Sequence, residues 1–204
     1  MARLAARTWQ LAQGSFAIPA VVDCWGLGES FQSVKPGSGL RICPRRCHHL
    51  QDTCRRNLSK GGLEAAGIGR SKGGLTTKIH AAVDALGLPI RTAITPGQWG
   101  DSPQARGLIE GLKGVSHVIM DAAYDADHLR TFIADDLGAT AHIKRNPTRR
   151  EDRYIDWELY KERHLVECFF NRIKRFRRIA LRCEKTVESF KAFVDLACAM
   201  AWIG

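Results

Sequence analysis

Four residues near the end of the chain have types and gaps suited to work on a charged substrate. In YKERHLVECFFNRIKRFRR, Tyr160, Arg163, Glu167 and Lys174 are separated by two, three and six residues. On a helix turning about 100° per residue they point within roughly 60° of one another, one stripe along about 21 Å. Leu165, Val166, Phe169, Phe170, Ile173 and Phe176 form the neighbouring apolar arc. The stripe therefore lies beside a buried face, where a helix packed on a sheet can aim a carboxylate at a strand end. A solvated amphipathic helix accounts for any one of these residues. Four residue types at three fixed gaps are much harder to obtain by chance. A second acid has a comparable setting: the apolar run Val118-Ile119-Met120 ends in Asp121, as a buried strand delivering a carboxylate would. Asp125, a turn further on, is expected to cap the helix that follows.

The charge balance points the same way. Thirty-one Lys and Arg against 21 Asp and Glu give a net charge of +10, which favours a polyanionic partner, most commonly nucleic acid. Arg172, Lys174, Arg175, Arg177, Arg178 and Arg182 crowd the glutamate segment and its exit, while Arg70 and Lys72 lie in a glycine-rich stretch. A solvated face explains part of this cluster; phosphate contact explains its concentration beside Glu167. The most apolar stretch, Ala192 to Ile203, is interrupted by Asp195 and too short to span a bilayer. The first residues lack the continuous apolar segment of a secretory signal. Seven cysteines without framework spacing suit a reducing cytoplasm. Cys43, Cys47, His48, His49 and Cys54 could in principle hold zinc, but their spacings match no standard ligand pair. Cys168, Cys183 and Cys198 read as packing residues.

The elements that must position these groups begin at about Gly61. Leu75 to Asp84 alternates, Ala85-Leu86-Gly87 supplies a turn, and Leu88 to Thr95 alternates again, a β-hairpin. Asp101 or Ser102 can cap a helix with Ala105, Leu108, Ile109 and Leu112 on its apolar side. The strand Val115–Asp121 comes next, then a helix carrying Leu129, Phe132, Ile133 and Leu137 and stopped by Gly138. A strand over Ala139–Ile143, a basic loop over Lys144–Asp152, and helices over Trp157–Arg178 and Thr186–Ile203 complete the order. Strands interleaved with helices predict an α/β layer fold. Residues 1–58 show neither period and are expected to be irregular or disordered. Asp23 does close an apolar run, Ala17 to Val22, but that run contains Pro19 and leads into Gly26 and Gly28.

The spacing of Tyr160, Arg163, Glu167 and Lys174 resembles the signature of bacterial insertion-sequence transposases in the superfamily numbered four and five. GRSKGGLTTKIHAAVDALGLPI, TPGQWGDS, MDAAYDADHLR and YKERHLVECFFNRIKRFRRIALR resemble its family-five branch, in order, over about residues 59–204. The resemblance implies an RNase H-like mixed sheet flanked by helices, in which two Asp and one Glu bind two divalent cations roughly 3.5–4 Å apart. Mg²⁺ is the expected ion, with Mn²⁺ as an alternative. Asp121 and Glu167 carry over as the second and third acids, as catalytic residues and metal ligands, expected on the order of 4–8 Å apart. Arg163, Lys174, Arg175 and Arg178 would contact DNA phosphates, and Tyr160 would position or stack on DNA. The implied partner is double-stranded DNA, both element ends and target, with a homodimer as the assembly in the DNA complex and the bacterial nucleoid as the location.

The first Asp is where this sequence departs from the pattern. The family places it on a strand shortly before the glycine-rich basic segment, where this chain reads CPRRCHHLQDTCRRNLSKGG. Asp52 lies there without an apolar strand leading into it; Asp23 lies far upstream; Asp84 matches a family position only as a turn residue in VDALG. The expectation is therefore that residues 1–58 have been replaced, as a frameshift or truncation would do. The catalytic domain over 59–204 would then be incomplete, and the chain either a DNA-cutting and DNA-joining enzyme or an inactive remnant that only binds DNA.

Overall fold

The computed structural model describes residues 18–26, 62–71, 74–150 and 153–203, with the backbone alone described for 18–26. The elements run β1 (Ile18–Gly26), α1 (Gly62–Ala65), β2 (Gly69–Ser71), β3 (Gly74–Val83), β4 (Pro89–Pro96), α2 (Ser102–Ile109), β5 (Val115–Met120), α3 (Asp127–Asp135), β6 (Thr140–Ile143), α4 (Trp157–Tyr160), α5 (His164–Ile173), α6 (Arg177–Ala180) and α7 (Val187–Ile203). A 3-10 turn follows β5 at Ala122–Tyr124, and another joins α4 to α5 at Lys161–Arg163.

The long strands lie side by side in the order β4-β3-β1-β5-β6. β4, β3 and β1 are antiparallel neighbours, whereas β5 and β6 run parallel to β1. This mixed sheet is compatible with the RNase H-like fold that the resemblance implied. The β3–β4 hairpin closes on Asp84, whose Oδ1 accepts the Leu86 and Leu88 N–H groups at 2.8 and 2.9 Å. Gly87 sits there at φ +76°, a backbone region where a side chain would be strained. Asp84 is thus a turn residue, as read.

Both sheet faces are covered. On one, Leu108 and Ile109 of α2 and Leu129 and Ile133 of α3 pack on Ala82, Val118, Met120 and Ile143. On the other, Val166, Phe169, Phe170 and Ile173 of α5 and Phe190 and Val194 of α7 pack on Ile79, Ala81, Val83 and Ile119. Alternation within β3 and β5 thus divides each strand between two cores.

Three expectations change. The irregular reading of residues 1–58 does not hold over Ile18–Gly26, which form the central strand. Pro19 is tolerated because it stands near the start of β1, where the register with β5 shifts between Ile18 and Pro19. The single helix expected over Trp157–Arg178 is broken by the 3-10 turn and again before α6. Asp101 stands at the α2 N-cap but makes no side-chain cap bond; Lys78 Nζ donates to it instead at 2.8 Å. Asp52 and the Cys43–Cys54 cluster lie outside the described residues.

Candidate active site

Asp121 follows directly on β5 and stays extended (φ −76°, ψ 169°). Its Oδ1 accepts the Ala122 N–H at 2.7 Å, capping the 3-10 turn. That bond fixes one carboxylate oxygen and starts the turn that ends the strand. Ile119, two residues earlier, packs in the core beneath α5, so strand alternation brings position 121 to the α5 side of the sheet. The side chain is half-buried.

Glu167 lies in the first turn of α5, next to buried Val166. Arg163 Nη2 donates to Glu167 Oε1 at 2.5 Å, with the glutamate 52% exposed. An exposed i,i+4 pair contributes only about 0.3–0.5 kcal/mol. Each of the buried Val166, Phe169, Phe170 and Ile173 side chains contributes about 1.5–3 kcal/mol. Packing, not the ion pair, therefore sets how α5 presents Glu167. α5 lies across β1 and β3, and the preceding 3-10 turn touches β5.

The broken helix alters the stripe without dispersing it. In a 3-10 turn, residues three apart eclipse, which aligns Tyr160 with Arg163. Tyr160 is half-buried against the α5–α7 core and meets Trp157 edge-on at 5.6 Å between ring centroids. Lys174 caps the C-terminus of α5, and partial burial lowers its ammonium pKa below the usual range.

The basic cluster divides. Arg175 is exposed. Arg178 is also exposed, but its guanidinium stacks 4.7 Å from the centroid of Phe193 and lies 3.5 Å from Glu184. Arg182 leaves the cluster altogether. It is buried, donates to the Gly67 and Ala66 carbonyls and to Thr77 Oγ1, and stacks on Phe190. It ties the segment before α7 to the turn before β2, and no signal in its sequence neighbourhood separated it from the surface arginines.

Asp125 does not cap α3, whose N-cap is Ala126. Its carboxylate accepts Arg130 Nε and Nη2 at 3.0 and 2.9 Å and the Asn146 N–H at 2.9 Å, and lies 3.5 Å from Arg149. Burial by itself would raise its pKa; the Asn146 and Arg130 bonds outweigh that and hold it below the usual range. Cys168 and Cys183 are exposed, so of the three cysteines read as packing residues only Cys198 is partly buried.

The residue that sequence reasoning set aside is Asp23. β1 pairs in parallel with β5 through Val22↔Met120, so the next step along the two strands is Asp23 beside Asp121. On its other side Asp23 stands opposite Ala81, a position of the core beneath α5. Asp23 thus occupies the register position that a third acid would need. Oxygen donors of this kind suit hard divalent cations. Among the described side chains, no group of three His, Cys, Asp or Glu could hold a metal ion.

The family described as the transposase DDE domain matches residues 38–202, starting upstream of residue 59, where the resemblance was expected to begin. A curated Brucella ovis protein, named as a transposase for insertion sequence element IS6501, is 67% identical over 129 residues, 63% of this chain and 99% of that protein. No solved structure matches. A family match across most of the chain, on a sheet that brings an Asp-ended strand and a Glu-bearing helix to one face, leaves one conclusion: the chain belongs to the DDE transposase family.

Proposed function

We propose that this chain cleaves insertion-element ends and joins them to target DNA by phosphoryl transfer, with Asp23, Asp121 and Glu167 as its three acids. The observation that carries the reading is the β1–β5 pairing, which brings Asp23 and Asp121 to neighbouring positions beneath the helix that bears Glu167. In this reading the first Asp is not missing, because β1 is a strand that carries Asp23 beside Asp121.

In this reading the three carboxylates converge within about 4–8 Å and hold two Mg²⁺ or Mn²⁺ ions. Divalent cations there would activate the attacking oxygen and neutralise charge on the leaving one. The chain's own work is placement. The Ala122 N–H fixes one oxygen of Asp121 and leaves the other for binding. Arg163 lies within a helical turn of Glu167, where its guanidinium can meet a phosphate flanking the scissile bond. Lys174, Arg175 and Arg178 extend that contact along the backbone, and Tyr160 positions the DNA. In-line attack on a phosphodiester depends chiefly on such positioning. The partners are double-stranded DNA and, in the DNA complex, a second copy of the chain.

The test uses the full chain with labelled DNA from the ends of its own element and either cation. Cleavage that Glu167→Gln abolishes supports the reading. Salt-dependent binding without cleavage identifies instead a remnant that only binds DNA.

A further inference from the structure

The pairing of β5 with β6 continues past the end of either strand. Its last register pair is Met120↔Ile143, and one step further the Lys144 N–H donates to the Met120 carbonyl at 3.5 Å. Val22, Met120 and Ile143 stand at one level on β1, β5 and β6, so the next level holds Asp23, Asp121 and Lys144. Neighbouring strands are about 4.8 Å apart, which puts the Lys144 backbone about 5 Å from that of Asp121 and about 10 Å from that of Asp23. The Ile143 carbonyl accepts Arg130 Nη2 at 2.8 Å, which fixes the chain where β6 ends.

Three observations set Lys144 apart from the other cations after β6. Ile143 is buried in the core under α2 and α3, so strand alternation turns Lys144 to the α5 side of the sheet, the side of Asp121. Two residues earlier on that side, buried His142 accepts the Asp156 N–H at 3.2 Å and meets the Tyr154 ring edge-on. The segment before α4 thus covers the sheet as far as His142, and Lys144 is exposed just beyond it. Finally, Arg149 and Arg153 are engaged by Asp127, and Arg145 donates to the Arg149 carbonyl. Among the described residues, the Lys144 ammonium has neither an ion pair nor a hydrogen bond. It is a positive charge left available one strand away from a carboxylate.

We infer that Lys144 is a catalytic residue whose ammonium holds a non-bridging oxygen of the scissile phosphate. The inference rests on the DNA-cutting reading above and deepens it. The cations assigned there meet the DNA backbone beside the cut, whereas Lys144 meets the phosphate that reacts. The attacking oxygen forms its bond to phosphorus, and the leaving oxygen departs with the electron pair of the broken bond. Negative charge gathers on the phosphoryl oxygens as this happens. A donor already in place stabilises that charge without rearrangement. Lys144 keeps its proton throughout.

The experiment uses the full chain and labelled DNA from the end of its own element, with the cut mapped first in Mn²⁺. A second substrate carries an uncharged methylphosphonate at the mapped linkage, and binding of both substrates is measured with Ca²⁺ in place of Mn²⁺. Lys144→Gln is expected to lower the single-turnover cutting rate about a hundredfold or more. The methylphosphonate should weaken binding by the wild type about tenfold more than binding by Lys144→Gln, because only the wild type has a charged contact there to lose. Circular dichroism and the thermal midpoint verify that the variant is folded. An unchanged cutting rate in Lys144→Gln, or an equal methylphosphonate effect on the two proteins, overturns the inference while the DNA-cutting reading stands. A wild-type chain that binds the element end without cutting it overturns both.

Discussion

Asp121 and Asp125 are four residues apart, and the structure treats them in opposite ways. Asp125 is fully engaged: its side chain is 1% exposed and its two oxygens meet Arg130, Arg149 and the Asn146 N–H. Asp121 is half-buried, and among the described residues its carboxylate takes one hydrogen bond, from Ala122 N–H. Arg130 also donates to the Ile143 carbonyl at 2.8 Å, so the Asp125 network locks the loop after β6 onto α3. An acid whose lone pairs are all used can hold a fold together but cannot take a ligand. An acid at a strand end with capacity to spare can. The comparison sets a carboxylate that holds the fold against one that the proposed function assigns to chemistry, within a single short motif.

The sharpest way to break this comparison is to neutralise each acid in turn. Asp121→Asn is expected to lower DNA cleavage by on the order of a thousandfold or more, because the acids act as a unit, with the urea midpoint nearly unchanged. Asp125→Ala is expected to do the reverse. Arg130, 10% exposed, would be left buried and uncompensated, at a cost of about 3–5 kcal/mol in unfolding free energy. Equal destabilisation by the two substitutions would show that Asp121 is structural as well.

A further contrast concerns pH. His80 is fully buried on β3, with its Nε2 2.7 Å from Thr95 Oγ1, and burial pushes its pKa down to about 4, against an opposing pull from Asp101. Between about pH 6.5 and 4 the unfolded chain therefore binds the proton that the folded chain refuses. Stability is complete above pH 6.5 and falls as the pH drops through that window, by about 3 kcal/mol in all. His80→Asn should flatten this part of the profile, measured as unfolding free energy against pH. An unchanged slope would place the titrating group elsewhere.

The smallest expected effects separate the arginines. Arg175→Ala should reduce the log–log salt slope of duplex binding by about 0.9. Arg178→Ala should lower it less, because Phe193 and Glu184 already engage that guanidinium. Equal reductions would mean that Arg178 leaves both partners to meet DNA.

Much of the framework was legible in the sequence for physical reasons. The β3–β4 hairpin has alternation plus the Asp84–Gly87 turn, and β5 is an apolar run with a defined stop. α7 repeats Phe190, Val194, Ala197 and Ala201 at helical spacing. β1 was not legible as a strand. It lies between β3 and β5, and Pro19 argues against a central strand unless its place at the register shift is known. The pairing that brings Asp23 beside Asp121 is tertiary, and no local spacing reports it. The breaks around α5 were equally hidden, since Lys161–Arg163 and Lys174–Phe176 contain neither Gly nor Pro. Arg182 was read with the surface arginines because composition shows charge but not burial. Among the described residues, no helix is long and apolar enough to cross a membrane, in keeping with the short Ala192–Ile203 stretch.

The central claim is that Asp23 completes the set begun by Asp121 and Glu167. Nicking of supercoiled DNA by the purified full chain in Mn²⁺, compared among the wild type, Asp23→Asn and Asp52→Asn, tests it most directly. The account predicts nicking by the wild type, nicking by Asp52→Asn at a similar rate, and none by Asp23→Asn with its fold intact. Nicking that survives in Asp23→Asn, or a wild-type chain that binds DNA and never nicks it, would contradict the account.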